Sequence, residues 1–176
     1  MAVAMSHSAH PTLPSSTGAA SSAPAVVLDT NVVLDWLVFN DPICALLATR
    51  LQARDLIWHA TSAMRRELTS VLPRPQLASW RPDCEHILSV FDLWALISID
   101  APSALGTMSP RCRDPDDQKF IDLALSLGAR WLFSRDRALL DLAKAARARG
   151  LEILTPAQWQ RLYPAGLDIK LVTTTA

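Results

Sequence analysis

Short apolar, strand-like runs alternate along this chain with longer stretches of helical periodicity, and no other feature restricts its fold as tightly. From Ala25 onward the runs are AVVLD, LIWHA, ALISID, RWLFS and LEIL. Such alternation is the signature of an α/β domain built on a mainly parallel sheet. The first run leads into a short helix from Asn31. A second helix is expected from about Pro42 to Ala53, with Ile43, Leu46, Leu47 and Leu51 as its apolar stripe. After LIWHA, Thr61 or Ser62 caps a helix carrying Met64, Leu68 and Val71 on one face, and Pro73 and Pro75 stop it. A further helix from about Pro82 to Leu96 precedes ALISID, and the prolines, glycine and serines of APSALGTMSPRCRDP break every period and make that stretch loop. In DPDDQKFIDLALSLGA, Asp114 is the expected cap, Pro115 the first helical residue and Gly128 the stop. Asp136 to about Arg149 reads as one more helix, and TPAQWQRLY as a closing helix capped by Thr155.

The chain has 176 residues, half of them hydrophobic, which is enough for one domain with its own core. Residues 1–24 are rich in Ala, Ser, Thr and Pro and are expected to be a disordered arm. They hold no Lys or Arg and no apolar core, so they do not resemble a signal peptide. The domain is expected over residues 25–163, followed by a short β-prone tail, 164–176, that reads equally as an edge strand or as disorder. No apolar run approaches the length of about 18 residues needed to span a membrane. Basic and acidic residues balance at 17 each, so no overall field draws the chain to nucleic acid, and any such binding belongs to a local patch. Cys44, Cys84 and Cys112 are odd in number and widely spaced, which suits neither a disulfide framework nor a zinc site. A reducing cytoplasm is the expected setting.

Four carboxylates stand out by position. Asp29 and Asp136 fall at or just past the carboxyl ends of predicted parallel strands, the edge where open α/β sheets place their ligands. Asp117 shares a helix face with Phe120, Ile121 and Ala124, so it points toward the sheet, whereas Asp122 lies off that face. Glu67 flanks the Met64, Leu68 and Val71 stripe and is expected to be half-buried, where an ordinary solvated glutamate has little reason to sit. A purely local account exists: Asp29 and Asp136 cap the helices that follow, and Asp117 complements a helix dipole. It leaves Glu67 and the apolar face of Asp117 unexplained. If the four converge, carboxylates about 4 Å apart repel by roughly 4 kcal/mol at an effective dielectric near 20, and the cluster needs a proton or a cation. Mg²⁺ or Mn²⁺ suits an all-carboxylate site, whereas zinc asks for His or Cys. His59 reads as a packed histidine, and Trp36, Trp58 and Trp131 read as core.

Taken in order, LDTN after the first strand, a mid-chain helical Glu67, the RDPDDQKFIDLAL helix and FSRD ahead of a helix resemble the PIN-domain family of VapC-like toxin ribonucleases. The likeness runs from Ala25 to about Tyr163 and includes ILTPAQW. It implies a single PIN-like α/β domain, a parallel five-stranded sheet sandwiched by helices. It also implies metal-dependent endoribonuclease activity on RNA, a cognate antitoxin protein and a homodimer. Asp29, Glu67, Asp117 and Asp136 match the family's acidic quartet, with Thr30, Asn31 and Ser134 as the polar residues around it. By resemblance, Asp29, Asp117 and Asp136 are direct or water-mediated ligands of one or two Mg²⁺ or Mn²⁺ ions, and Glu67 is either a ligand or a base for the attacking water. Asp117 is preferred to Asp114 and Asp116 for its helix face and its distance to Gly128; Ser134 stands where the family often has threonine. Arg111, Arg113, Arg135 and Arg137 bracket two of the acidic motifs, either to hold flanking phosphates or to offset an acidic rim. Two other readings stand beside this one. A PIN-like module that binds RNA or protein without cutting keeps the same acids. An Asp-based phosphotransfer protein resembles the chain less, because a haloacid-dehalogenase-like site wants a second Asp where Asn31 stands and a receiver domain wants a late-strand lysine.

Overall fold

Val26 and Val27 are wholly shut off from solvent and Leu28 nearly so. A strand without polar alternation is buried on both faces, as parallel strands flanked by helices are. That strand, β1 (Ala25–Leu28), is the middle one of five in a computed structural model that describes residues 23–98 and 109–166. β2 (Ile57–Thr61) and β3 (Ala95–Ser98) lie to one side, β4 (Trp131–Phe133) and β5 (Glu152–Leu154) to the other. The order is β3-β2-β1-β4-β5, and every neighbouring pair is parallel, with Val27 beside both His59 and Leu132. The α/β class and the five-stranded parallel sheet expected from the sequence are the ones observed. From β1 the chain moves outward in one direction through β2 and β3, then returns to the other side of β1 for β4. The carboxyl ends of β1 and β4 therefore flank a topological switch point, where diverging connections leave a crevice.

The helices are α1 (Thr30–Leu37), α2 (Ala45–Gln52), α3 (Ser62–Val71), α4 (Cys84–Trp94), α5 (Gln118–Ser126), α6 (Arg137–Leu140), α7 (Ala143–Arg147) and α8 (Pro156–Leu162). Local chemistry sets several of their starts. The Thr61 hydroxyl accepts from the Met64 N–H at 3.3 Å and starts α3. Thr155 and Gln158 form a reciprocal capping box on α8. Asp114 accepts from the Asp116 N–H at 2.9 Å and opens a 3₁₀ turn, Pro115–Asp117, that feeds α5. Phe120, Ile121, Leu123 and Ala124 of α5 are buried, and the helix packs on β1 and β4 until Gly128, at φ 59°, ends it. Trp131 stands edge-on to Trp159 and Tyr163 at 5.8 and 5.0 Å, and Trp58 to Phe91 at 4.8 Å, so the tryptophans anchor the core at two places. Trp80 is the exception, more than half exposed against Phe39. His59 meets the Ser98 hydroxyl at 3.2 Å between β2 and β3, and burial pushes its pKa down, as befits a packed histidine.

Two expectations about helices need correction. The helix placed at Pro42–Ala53 begins as a 3₁₀ turn, Pro42–Cys44, because the Asp41 carboxylate caps the Ile43 N–H at 3.0 Å. The tighter turn rotates Ile43 to the surface, and Cys44, Leu47, Ala48 and Leu51 form the buried stripe instead. The single helix expected from Asp136 to Arg149 is two, α6 and α7. A short-range bond from the Leu142 N–H to the Leu139 carbonyl tightens the chain between them. Past the prolines that stop α3, Pro75–Trp80 is a further 3₁₀ segment. The expected arm lies outside the described residues apart from 23 and 24, as do positions 167–176 of the tail and 99–108 of the loop after β3. Among the described residues no single helix is long and apolar enough to cross a membrane.

Candidate active site

Asp29 continues the extended backbone of β1 and donates its N–H to the Phe133 carbonyl at 2.9 Å, which fixes it against β4. Its carbonyl accepts the first bonds of α1, from Val32 and Val33, but its side chain makes no capping bond. The carboxylate is instead turned to the crevice, only 4% exposed, where Oδ2 accepts from Asn31 Nδ2 at 2.6 Å and from the Ser134 hydroxyl at 2.5 Å. Both donors are themselves fixed. Asn31 Oδ1 accepts the Arg135 N–H at 3.1 Å, and the fully buried Ser134 hydroxyl accepts the Asp136 N–H at 2.8 Å. Residues at the ends of β1 and β4 are thus stitched into one network. Thr30 is buried beside it as the first residue of α1.

The local and functional accounts of the acids now separate. Asp136 does cap a helix, accepting from the Ala138 N–H at 2.6 Å through Oδ1. Asp29 and Asp117 precede helices yet make no side-chain cap bond, so capping does not explain them. Asp117 is half-buried at the end of the 3₁₀ turn, one residue ahead of the helix in which it was expected. Glu67 is half-buried on α3, as its place beside the apolar stripe implied, and its Oε2 lies 2.7 Å from Lys119 Nζ.

Charge ties the four together. Burial pushes the Asp29 pKa up to about 6; the Ser134 hydroxyl and the Asn31 backbone N–H oppose that rise, and the negative charges of Glu67 and Asp136 add to it. Burial likewise raises Asp117 to about 6, helped by the charges of Asp29, Asp136 and Asp114 and opposed by Lys119. Each of the four carboxylates therefore lies in the field of at least one other. Among the described residues, no three His, Cys, Asp or Glu side chains close to ligating distance around one point. The donor chemistry nonetheless fits a hard divalent cation. The donors are carboxylate oxygens whose ionised forms are disfavoured by burial and by one another, and added positive charge relieves both. The nearby Cys112 thiol is pushed up by its own burial and by the charges of Asp117, Asp114 and Asp136.

The arginines divide. Arg135 sends its guanidinium away from the acids to the buried Asp35 at 2.8 Å and to Asp41 at 3.7 Å, so it serves the site through its backbone N–H. Arg113 lies 3.7 Å from Asp141 and is largely exposed; Arg111 and Arg137 are exposed too. Arg113, Asp114, Pro115 and Ala138 line an open depression of about 360 Å³ beside the acids. Sequence reasoning missed three contributors. Asp35 holds Arg135. Gln118 staples the loop before Asp114, accepting from the Cys112 N–H at 2.7 Å while its amide donates to the Pro110 carbonyl at 3.1 Å and to Asp122 at 2.9 Å. Its position four residues before Asp122 was the available signal. Lys119, the third, gave none, because its partner Glu67 is distant in sequence.

Residues 25–138 match the family model described as PIN domain. No curated protein and no solved structure gives a significant match to the chain.

Proposed function

Because this chain belongs to the PIN-domain family, whose fold is nuclease-like and whose members are usually nucleases, we propose that it is a metal-dependent endoribonuclease and the toxin of a toxin–antitoxin pair. One observation carries the reading. A carboxylate that caps nothing, Asp29, is buried at the switch point of a parallel sheet among like charges, held in one orientation by Asn31 and Ser134. Such a group is costly unless it serves a cation or a reaction. Asp29, Asp117 and Asp136 are the residues to hold Mg²⁺ or Mn²⁺, which when bound supplies charge neutralisation at a phosphodiester and lowers the pKa of a bound water. Glu67 stands at the edge of that set. Ser134 and Asn31 fix the Asp29 carboxylate, and the Ser134 hydroxyl ties the Asp136 backbone to it. The exposed Arg111, Arg113 and Arg137 are the side chains this reading assigns to phosphates flanking the scissile one. RNA as substrate, a cognate antitoxin, a homodimer and a cytoplasmic site of action belong to the same proposal. A non-cutting RNA-binding module is the second reading, favoured by the Lys119 ammonium that already partners Glu67.

The test is cleavage of a mixed-sequence single-stranded RNA by the purified full chain with Mg²⁺, with Mn²⁺ and with EDTA, beside Asp29→Asn. Cutting that requires the metal and is lost in the variant is the expected result. RNA binding without cutting under every condition would leave the second reading in place. Growth arrest on expression of the wild type, but not of the variant, tests the toxin assignment.

A further inference from the structure

Within the acid cluster sits a cation supplied by the chain. Lys119 Nζ lies 2.7 Å from Glu67 Oε2, donates to the Asp116 carbonyl and stands 4.7 Å from the centre of the Phe120 ring. Both side chains are largely withdrawn from water, Lys119 26% and Glu67 29% exposed, and Glu67 Oε2 is buried with no hydrogen-bond partner, so Lys119 meets it as an ion pair rather than through an aligned hydrogen bond. A lysine has only donors to offer, so an ammonium with two oxygens and an aromatic face around it is held in place. The pairing joins α3 to α5, and α5 is the helix that follows Asp117.

We propose that Lys119 is a positioning residue that keeps Glu67 out of the metal-ligand set, so that the chain binds a single divalent ion through Asp29, Asp117 and Asp136 while Glu67 stays oriented beside it. This rests on the metal-site reading above and settles the role of Glu67 within it. A carboxylate oxygen engaged by an ammonium at this distance is a weaker ligand, since binding an ion through it means breaking that pair. The fixed positive charge also repels a second ion directly.

The experiment is a Mn²⁺ titration of the full chain, followed by electron paramagnetic resonance and calorimetry, on wild type, Lys119→Met, Lys119→Arg, Glu67→Gln and Asp29→Asn. Wild type is expected to take one ion, with an affinity that Glu67→Gln lowers only about tenfold, by leaving the Lys119 charge unpaired beside the site, and that Asp29→Asn abolishes. Lys119→Met frees Glu67 and should bind at least about tenfold tighter or admit a second ion. Lys119→Arg should restore the wild-type count. The assignment is overturned if Glu67→Gln weakens binding as much as Asp29→Asn does, or if Lys119→Met leaves count and affinity unchanged or lowers the affinity. A second arm needs no metal. In EDTA at neutral pH, Lys119→Met should melt below wild type and regain the loss when combined with Glu67→Gln; additive losses would show that the two side chains do not act as a pair. Absence of Mn²⁺ binding in every protein would overturn the metal-site reading and this proposal together, whereas one-ion binding by wild type with Glu67 as a ligand overturns this proposal alone.

Discussion

Replacing Asp29 with asparagine should stabilise the metal-free protein at neutral pH even as it removes activity. The bonds from Asn31 Nδ2 and the Ser134 hydroxyl reach the same oxygen, Oδ2, so an amide oxygen placed there keeps those two donors satisfied. What the substitution removes is a buried negative charge. The folded-state pKa of about 6 lies above the ordinary value of 3.8, so the folded protein holds the Asp29 proton more tightly than the unfolded chain. Well below pH 3.8 both states are protonated and the aspartate costs nothing, and at pH 4 it costs only about 0.5 kcal/mol. As the pH rises toward 6 the unfolded chain ionises first, stability falls, and above 6 the loss is complete. The gap between the two pKa values corresponds to about 3 kcal/mol. The pulls of the Ser134 hydroxyl and the Asn31 backbone N–H are already counted in it, because they act to lower the folded-state value. For a chain of this size the gap is worth about 6–12 °C in melting temperature. Thermal and denaturant melts of both proteins in EDTA, at pH 4 and at pH 8, read it directly. The curves should nearly coincide at pH 4 and separate at pH 8 with Asp29→Asn the more stable. Millimolar Mg²⁺ should narrow or reverse the order by binding folded wild type alone. An asparagine variant less stable than wild type at pH 8 in EDTA, or a gap of the same size at both pH values, would refute the claim that burial and like charge strain this carboxylate.

Ser134→Ala removes the hydroxyl shared by Asp29 and the Asp136 N–H, and should lower cleavage at least about tenfold, while Ser134→Thr retains it; equal activity in both variants would deny the hydroxyl its role. Arg135→Ala should leave the nearly buried Asp35 without its cation and cost about 1–3 kcal/mol in denaturant melts, a value discounted for the half-exposed guanidinium. The same variant should leave the salt dependence of RNA affinity intact. Arg113→Ala and Arg137→Ala should reverse that pattern: little change in stability, and a salt slope reduced by about one phosphate contact each.

Features set by nearest neighbours were legible. Thr61, Asp114 and Thr155 were expected to begin helices and do so, because a cap is a bond between residues two or three apart. The strands were legible for a similar reason, since burial on both faces leaves an uninterrupted apolar run. The neighbourhood of Asp29 and Asp136 followed from their positions past strand ends, given a parallel sheet. What failed depended on which way a long side chain turns, or on a one-residue change of helical register. Arg135 flanks the acids in sequence, yet its guanidinium goes to Asp35, a partner whose burial on α1 only the packed structure creates. Ile43 fitted a helical stripe until Asp41 tightened the turn beneath it. Lys119 and Glu67 meet because α5 and α3 are brought together in the fold, and no spacing along the chain announces that.

The bond between Ser134 and Asp29 spans 105 residues. A chain emerging from the ribosome displays Asp29 early, but its carboxylate has no fixed orientation, and no acidic neighbours from the second half of the sheet, until β4 has been made and has docked beside β1. Assembly of the acids thus comes late in synthesis. If the chain cuts RNA as proposed, this ordering would act as a timer: the nascent polypeptide would stay harmless to the message it is being read from until β4 has been made.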